Sequence, residues 1–183
     1  GGFYDGDKIR FRSGFPEKIG GWVQLNNSTF LGTCRALWNW VTLAFANLLG
    51  IGTDKKYYIE SGGTYYDVTP EVYTSTNLGA AAGPFTAITV APYSSTITVT
   101  DGVYNPNVGD YFTISGAASL GGNITAAVLN QEYVVATVPS SATYTFVAKS
   151  STTGLPVTSN ASDTAKGGAT VVVKYQYPTG LNV

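Results

Sequence analysis

Residues 35–70 restrict the possible folds of this chain more than any other stretch. They contain four short runs rich in aromatic and β-branched residues, and Asn, Asp, Ser or Gly residues separate one run from the next. This pattern predicts an antiparallel meander of four strands, at 35–43, 48–52, 56–60 and 64–68. One face of such a sheet needs a partner, so we expect the earlier residues to lead into the sheet and the later residues to extend from it.

The apolar run at 36–49 also has helical spacing and contains several good helix formers. The Trp-Asn-Trp-Val-Thr segment at 38–42 favours a strand, because aromatic and β-branched side chains pack well on a pleated surface. A membrane span is not expected, since the run is shorter than the roughly 18 residues required and includes polar residues.

Composition and charge argue against an enzyme and against a protein that captures nucleic acid. Charged residues make up 11% of the 183 residues, well below the roughly 25% usual in globular domains, and the formal net charge is −1. Binding to a phosphate backbone depends on many Lys and Arg residues, so DNA would slide past such a surface. The chain has no His and a single cysteine, Cys34, which excludes an internal disulfide. We therefore expect no catalytic residues, no bound metal and no cofactor.

Two kinds of residue are catalytic candidates, the carboxylates and the single cysteine. A pair of carboxylates can hydrolyse a glycosidic bond, but the spacing of the acidic residues brings no two together, and solvated positions are the favoured interpretation. Cys34 lies beside Arg35 without a base, which favours an incidental or buried thiol over a nucleophile. The carboxylates concerned are Glu17, Glu60, Glu71 and Glu132.

The second half of the chain has its own strand pattern after a connector of small residues at 77–84. It predicts six strands in a small β-barrel or sandwich, at 87–90, 96–100, 111–115, 133–138, 143–147 and 171–175. The last strand is expected to pair with an early one, and 150–168 to form a mobile loop with almost no apolar anchor. The predicted division is a strand and meander at 1–78, the small β module at 79–178, and a return to the main body at 179–183.

The two ends of the chain show interrupted patterns. Alternation at 8–12 predicts a short strand near the start, followed by a loop rich in Gly and Pro. The chain contains no Met, and its last residues resume an apolar pattern. We therefore expect an internal fragment of a longer protein.

Three phrases within residues 3–70 resemble the opening of bacteriophage virion proteins of the tail-nozzle (tail tubular) type. They are DGDKIRFRSGFPEKIGGW, FLGTCRALWNWVTL and LLGIGTDKKYYIESGGTYYDVTP. The resemblance implies a meander that forms a β-propeller blade, in a subunit of a ring around DNA. The chain departs from this pattern at 44–47, where Ala-Phe-Ala-Asn replaces an Asp-Gly type hairpin turn. Phe45 then needs a partner, as a subunit contact would provide.

Residues 85–176 resemble a small β module inserted in phage tail proteins, which is sometimes matched to the first catalytic-cysteine half-domain of ubiquitin-activating enzymes. The phrases VGDYFTISGA and NQEY contribute most to this similarity. Despite its name that half-domain is a scaffold, and residues 35–183 contain no Cys.

Two functions are expected from these observations. The first is an all-β structural protein of the virion, located in the tail nozzle or head–tail junction. It is expected to form a homo-oligomeric ring and to contact other tail or neck proteins. DNA would meet it only in the lumen of the ring, and no contact with a membrane is expected. Its interface candidates are Phe45, Trp38, Trp40, Tyr57, Tyr58 and Tyr65. The alternative is a carbohydrate-binding or host-adhesion module whose exposed rings stack on sugars. The rings proposed for that role are Trp22, Trp38, Trp40, Tyr57, Tyr58, Tyr65 and Tyr66.

Overall fold

The computed structural model describes residues 9–20, 27–76, 78, 82–88 and 90–177. Trp22, residues 77 and 79–81 of the predicted connector and the predicted return at 179–183 lie outside the described residues. The described part is all-β, with antiparallel pairing throughout. The elements are β1 (Ile9–Arg12), β2 (Phe15–Lys18), β3 (Cys34–Val41), β4 (Asn47–Thr53), β5 (Tyr57–Ser61), β6 (Thr64–Asp67), β7 (Glu71–Thr76), β8 (Phe85–Thr86), β9 (Thr96–Thr100), β10 (Tyr111–Ser115), α1 (Ala126–Leu129), β11 (Glu132–Val134), β12 (Thr137–Ser140), β13 (Thr143–Val147) and β14 (Val172–Gln176).

The predicted four-stranded meander is confirmed, with strand order β3-β4-β5-β6. Local hydrogen bonds form its turns. The Thr42 hydroxyl accepts from the Ala46 N–H at 3.1 Å, and the Glu60 carboxylate accepts from the Gly63 N–H at 2.7 Å. Between β4 and β5, the Thr53 hydroxyl accepts from the Lys56 N–H at 2.8 Å. We call β3 to β6 the meander.

The second half forms two four-stranded sheets, ordered β11-β10-β14-β7 and β12-β13-β9-β8. Their inner faces meet in one aromatic core, where the ring of Phe112 on β10 lies 5.2 Å from Tyr144 and 5.7 Å from Phe146, both on β13. The sheets do not close into a barrel, so of the predicted alternatives the sandwich is correct. We call these two sheets the sandwich.

Buried tyrosine hydroxyl groups in the sandwich core are paired with one another and with a carboxylate. The hydroxyl groups of Tyr144 and Tyr175 lie 2.8 Å apart, and the Tyr175 O–H donates to Asp101 at 2.7 Å. All three residues are buried. Burial raises the pKa of both tyrosines far above the ordinary value of about 10, so both stay protonated.

The sheet formed by β10, β11, β14 and β7 crosses the predicted domain boundary. β7 precedes residue 78, and it pairs with β14 along its length, for example Tyr73 with Tyr175. The expected pairing of the last strand with an early strand of the module is present between β14 and β10. The division at residue 78 stays a prediction, although the hydrogen-bonded sandwich already begins at Glu71.

Several local expectations differ from the structure. Of the strand expected at 87–90, the described residues 87, 88 and 90 are outside any strand, and the nearest strand is Phe85–Thr86. The strand expected at 133–138 is divided into β11 and β12. The sequence did not predict α1, a single turn in which the Val128 N–H donates to the hydroxyl of the capping residue Thr125.

The segment at 150–168 is held by polar contacts. The Ser159 hydroxyl donates to the carbonyls of Ile88 and Ser94, and the buried Asp163 carboxylate accepts from the Asn160 N–H. Val157 adds an apolar contact with the core. Val157 is the apolar anchor of this segment, and the polar anchors Ser159 and Asp163 were not expected from the sequence. The mobility of the segment stays a prediction.

Candidate assembly surface

One face of the meander is a charge-free surface of aromatic and aliphatic side chains. Residues paired across antiparallel strands point to the same side, and the register aligns Trp38, Gly50, Ile59 and Tyr66 in one row. Trp38 is 75% exposed and Tyr66 is 55% exposed. We call this surface the open face; it consists of Ala36, Trp38, Trp40, Leu48, Gly50, Gly52, Tyr57, Ile59 and Tyr66.

Two glycines on β4 shape the open face. A Cβ at Gly50 would lie 3.1 Å from the Trp40 ring, so the missing side chain lets that ring lie flat on the sheet. At Gly52 a Cβ would meet Ala36 and Tyr57 only at ordinary contact distances of 3.6 and 3.7 Å. Gly50 is therefore the tighter of the two positions, whereas Gly52 has space for a methyl group.

The opposite face of the meander is partly covered by the segment before β3. The Phe30 ring packs edge-on against Tyr65 with ring centres 5.4 Å apart, and the Leu31 N–H donates to the Tyr58 hydroxyl at 3.1 Å. Ile51 is 3% exposed on this side. This face is therefore already occupied in part by the chain's own residues.

The six predicted interface aromatics therefore fall into three sets. Trp38, Trp40 and Tyr57 lie on the open face, whereas Tyr58 and Tyr65 lie on the covered face. Phe45 is at the turn between β3 and β4, where it is 87% exposed at a positive φ of 60°. Tyr57 and Tyr58 are neighbours on β5 and therefore point to opposite faces of the sheet. The sequence prediction did not distinguish these two faces.

The meander also has two outer strands, β3 and β6, each paired on one side only within the described residues. The outward N–H and C=O groups of such strands can pair with another strand. β3 is the longer of the two, and Leu37, Trp38 and Val41 along it are exposed. Cys34 is exposed at the start of β3, so the thiol is not buried.

A buried lysine joins the meander to the sandwich. The Lys56 side chain is 3% exposed, and its Nζ lies 2.6 Å from the Asp67 carboxylate of the meander. The same Nζ forms an ion pair with the Glu132 carboxylate on β11 and lies 5.4 Å from the centre of the Tyr111 ring on β10. We call Lys56, Asp67 and Glu132 the Lys56 bridge.

The pKa shifts of the Lys56 bridge favour the charged pair. Burial by itself lowers the pKa of Lys56, but hydrogen bonds and charge from Asp67 and Glu132 outweigh it, and the pKa is raised above the ordinary value. Burial raises the pKa of Asp67, and hydrogen bonds from Lys56 and Thr69 reverse that effect, so this pKa is lowered. Both groups are charged at neutral pH.

Each of the four glycosidase candidate carboxylates has a different hydrogen-bond or ion-pair partner in the structure. Glu17 forms an ion pair with Arg10 at 3.0 Å, and Glu71 forms one with Lys174 at 2.9 Å. Glu60 binds a turn N–H, and Glu132 belongs to the Lys56 bridge. Within the described residues, no group of three or more His, Cys, Asp or Glu side chains is placed to hold a metal ion. That part of the chain also contains no helix long and apolar enough to cross a membrane.

The chain matches no protein-family model. No curated protein and no solved structure is significantly similar to it.

Proposed function

We propose that this chain is a structural subunit of a bacteriophage virion, in the tail nozzle or at the head–tail junction, and that copies of it associate into a ring around a DNA passage. The observation that best supports self-association is the open face of the meander. Its rings are exposed to solvent on a sheet whose other face is already partly covered. An exposed apolar surface of this kind is typical of a protein contact.

A closed ring requires a second surface on each subunit, because in a ring every subunit contacts two neighbours through two different patches. The open face supplies one of these surfaces. The outer edge of β3, which is paired on one side only within the described residues and carries the exposed Leu37 and Val41, is the candidate for the other.

The charge pattern supports a passage for DNA in preference to a DNA-binding protein. Only 11% of the residues are charged, and the net charge is −1. Such a lumen would release few counterions from DNA and would hold it weakly. The ring would therefore not retain DNA as it moves.

Sedimentation analysis of the chain tests the self-association. We expect the wild-type chain to form an oligomer and a variant with Trp38→Ser and Tyr66→Ser to sediment as a folded monomer. A control variant with Tyr93→Ser and Val147→Ser removes two exposed apolar side chains outside the open face and should stay oligomeric. A wild-type chain that is monomeric at the highest attainable concentration would contradict the proposal.

The location in the virion is tested separately. An antibody against this chain should label the tail or neck of purified phage particles in immunoelectron microscopy, and mass spectrometry of the same particles should detect it. Particles that lack the chain would contradict a virion role even if the isolated chain associates.

The open face also favours a second candidate function, binding of carbohydrate. Three exposed rings on one flat sheet can stack on the apolar faces of sugar rings. A glycan array would then show binding by the wild-type chain and loss of binding on Trp38→Ser. Sugar binding by a chain that remains monomeric would favour this second function over the first.

A further inference from the structure

We propose that the Lys56 bridge sets the orientation of the meander relative to the sandwich. This inference concerns the conformation of the chain alone and holds whether or not copies associate. It rests on the way the two parts are attached, first through the backbone and then through the buried ammonium group.

The backbone attachment is short and works as a single pivot. The Val68 N–H donates to the Tyr57 carbonyl at 2.9 Å, and the Tyr57 N–H donates to the Thr69 hydroxyl at 3.0 Å, so the chain belongs to the meander up to Thr69. The Pro70 carbonyl accepts from the Tyr177 N–H at 2.8 Å, so the next residue already belongs to the sandwich. One pivot of this kind limits translation of the meander, but it leaves rotation about the pivot unrestrained.

The Lys56 bridge supplies a second point of attachment. Its two carboxylates come from different parts, since Asp67 ends β6 of the meander and Glu132 begins β11 of the sandwich. The ammonium group is therefore paired on both sides only in one relative orientation. Rotation away from Glu132 would leave the buried ammonium group of Lys56 with Asp67 alone, which costs free energy.

Both ends of this second attachment lie on rigid backbone. Lys56 follows a tight turn in which the Thr53 hydroxyl accepts from its N–H at 2.8 Å. Glu132 begins β11, an outer strand of its sandwich sheet, and pairs there with Thr113 on β10, the strand that also carries Tyr111. A contact between two ordered elements fixes the orientation of one element relative to the other, whereas a contact between two loops would not.

The described residues show little other contact between the two parts. No strand of the meander hydrogen-bonds to a strand of the sandwich, and the residues of the buried apolar cluster all come from the sandwich side of Pro70. Orientation therefore depends on the pivot and on the Lys56 bridge, and not on a shared apolar core.

Electron paramagnetic resonance distance measurement on the full chain tests this inference. Cys34 is the single cysteine and is exposed on β3, so it takes one spin label, and Ser141→Cys adds a second in the exposed turn between β12 and β13. Dilution with unlabelled chain removes distances between copies. We expect one narrow distance distribution in the otherwise wild-type chain, and its loss or displacement when Glu132→Gln is added.

The control is Glu71→Gln, which removes the carboxylate of an exposed ion pair with Lys174 inside the sandwich and should leave the distribution unchanged. Lys56→Met removes the ammonium group itself and should have the larger effect on the distance distribution. If the Lys56→Met variant fails to fold, the Glu132→Gln variant decides the question. A distribution that is broad in the wild-type chain would overturn the inference. A distribution that stays narrow and unmoved in Glu132→Gln would overturn it as well.

Discussion

The meander and the sandwich are built from the same kinds of strand but differ in what covers them. In the sandwich the side chains of Ile97, Phe112 and Phe146 are fully buried between two sheets. In the meander Ile51 is the one buried large hydrophobic side chain, and Trp38 projects into solvent. The alternation of apolar and polar residues determines that a segment forms a strand, while a second layer determines whether its apolar side is buried.

This difference predicts that substitutions in the two parts have different effects. The sandwich buries its own apolar side chains and pairs the hydroxyl groups of Tyr144 and Tyr175 with Asp101. The meander leaves an equivalent surface uncovered. Substitutions in the sandwich should therefore change the free energy of unfolding, and substitutions on the open face should change association.

Truncation of a core ring should give the largest effect. Phe112→Ala leaves a cavity among Tyr144, Phe146 and Tyr175, and we expect a loss of about 3–5 kcal/mol in the free energy of unfolding. Urea denaturation followed by near-ultraviolet circular dichroism measures it. Val134→Ala, at an exposed position on β11, is the control, and an equal loss in both variants would mean that the core does not stabilise the sandwich as described.

Removal of one buried hydroxyl group should give an intermediate effect. Tyr175→Phe keeps the ring but removes the hydrogen bond to the Tyr144 hydroxyl and the one to the Oδ2 atom of Asp101, and we expect a loss of about 1–3 kcal/mol in the free energy of unfolding. The same denaturation experiment applies, with the exposed Tyr93→Phe as the matched control. A change within error of that control would show that water replaces the lost hydroxyl group.

Acid should weaken the Lys56 bridge over a defined range of pH. Folding lowers the pKa of Asp67. The contribution of Asp67 to stability is therefore complete at pH values above its unfolded-state pKa of about 3.9, and it is lost as the pH falls through the lower pKa of the folded state. The difference in urea midpoint between the wild-type chain and Asp67→Asn should therefore be constant at neutral pH and shrink below about pH 4. Tyr58, Tyr111 and Glu132 also face this site, and all three are present in both chains. A difference in urea midpoint that persists unchanged at pH 2 would contradict the assignment to Asp67.

A substitution on the open face should change stability least. Trp38→Ser removes a ring that is mostly in water, so we expect the free energy of unfolding of the monomer to change by less than about 0.5 kcal/mol. Association measured by light scattering should nevertheless fall. A loss of stability comparable to that of the core variant would show that the ring is covered within the monomer.

Much of the local structure could be predicted, because it depends on neighbours in sequence. The four meander strands and those at 96–100, 111–115 and 143–147 follow from alternation, and the structure confirms them. The helix α1 was missed because a single turn is too short to show a helical period. β7 was missed because it follows Pro70 and adjoins small residues that resemble a connector.

The other features that the sequence did not predict depend on contacts between residues far apart in the chain. No turn joins β7 to β14, so their pairing depends on tertiary packing. Lys56 and Glu132 are separated by 76 residues, and neither lies in a pattern that predicts an ion pair. The interface role of Trp38, Trp40 and Tyr57 stays a prediction, and their separation from Tyr58 and Tyr65 onto the open face requires the register.

The pairing of β7 with β14 also determines how the sandwich would respond to mechanical tension. The chain enters at Pro70 and leaves at Tyr177, and these two residues are joined by a hydrogen bond of 2.8 Å. Because the two strands are antiparallel, a force that pulls these points apart acts first on Glu71 and Gln176 and then on each following pair in turn. The bonds would break one after another and not all together, so the sandwich should yield at low force in a single-molecule pulling experiment despite its well-packed core.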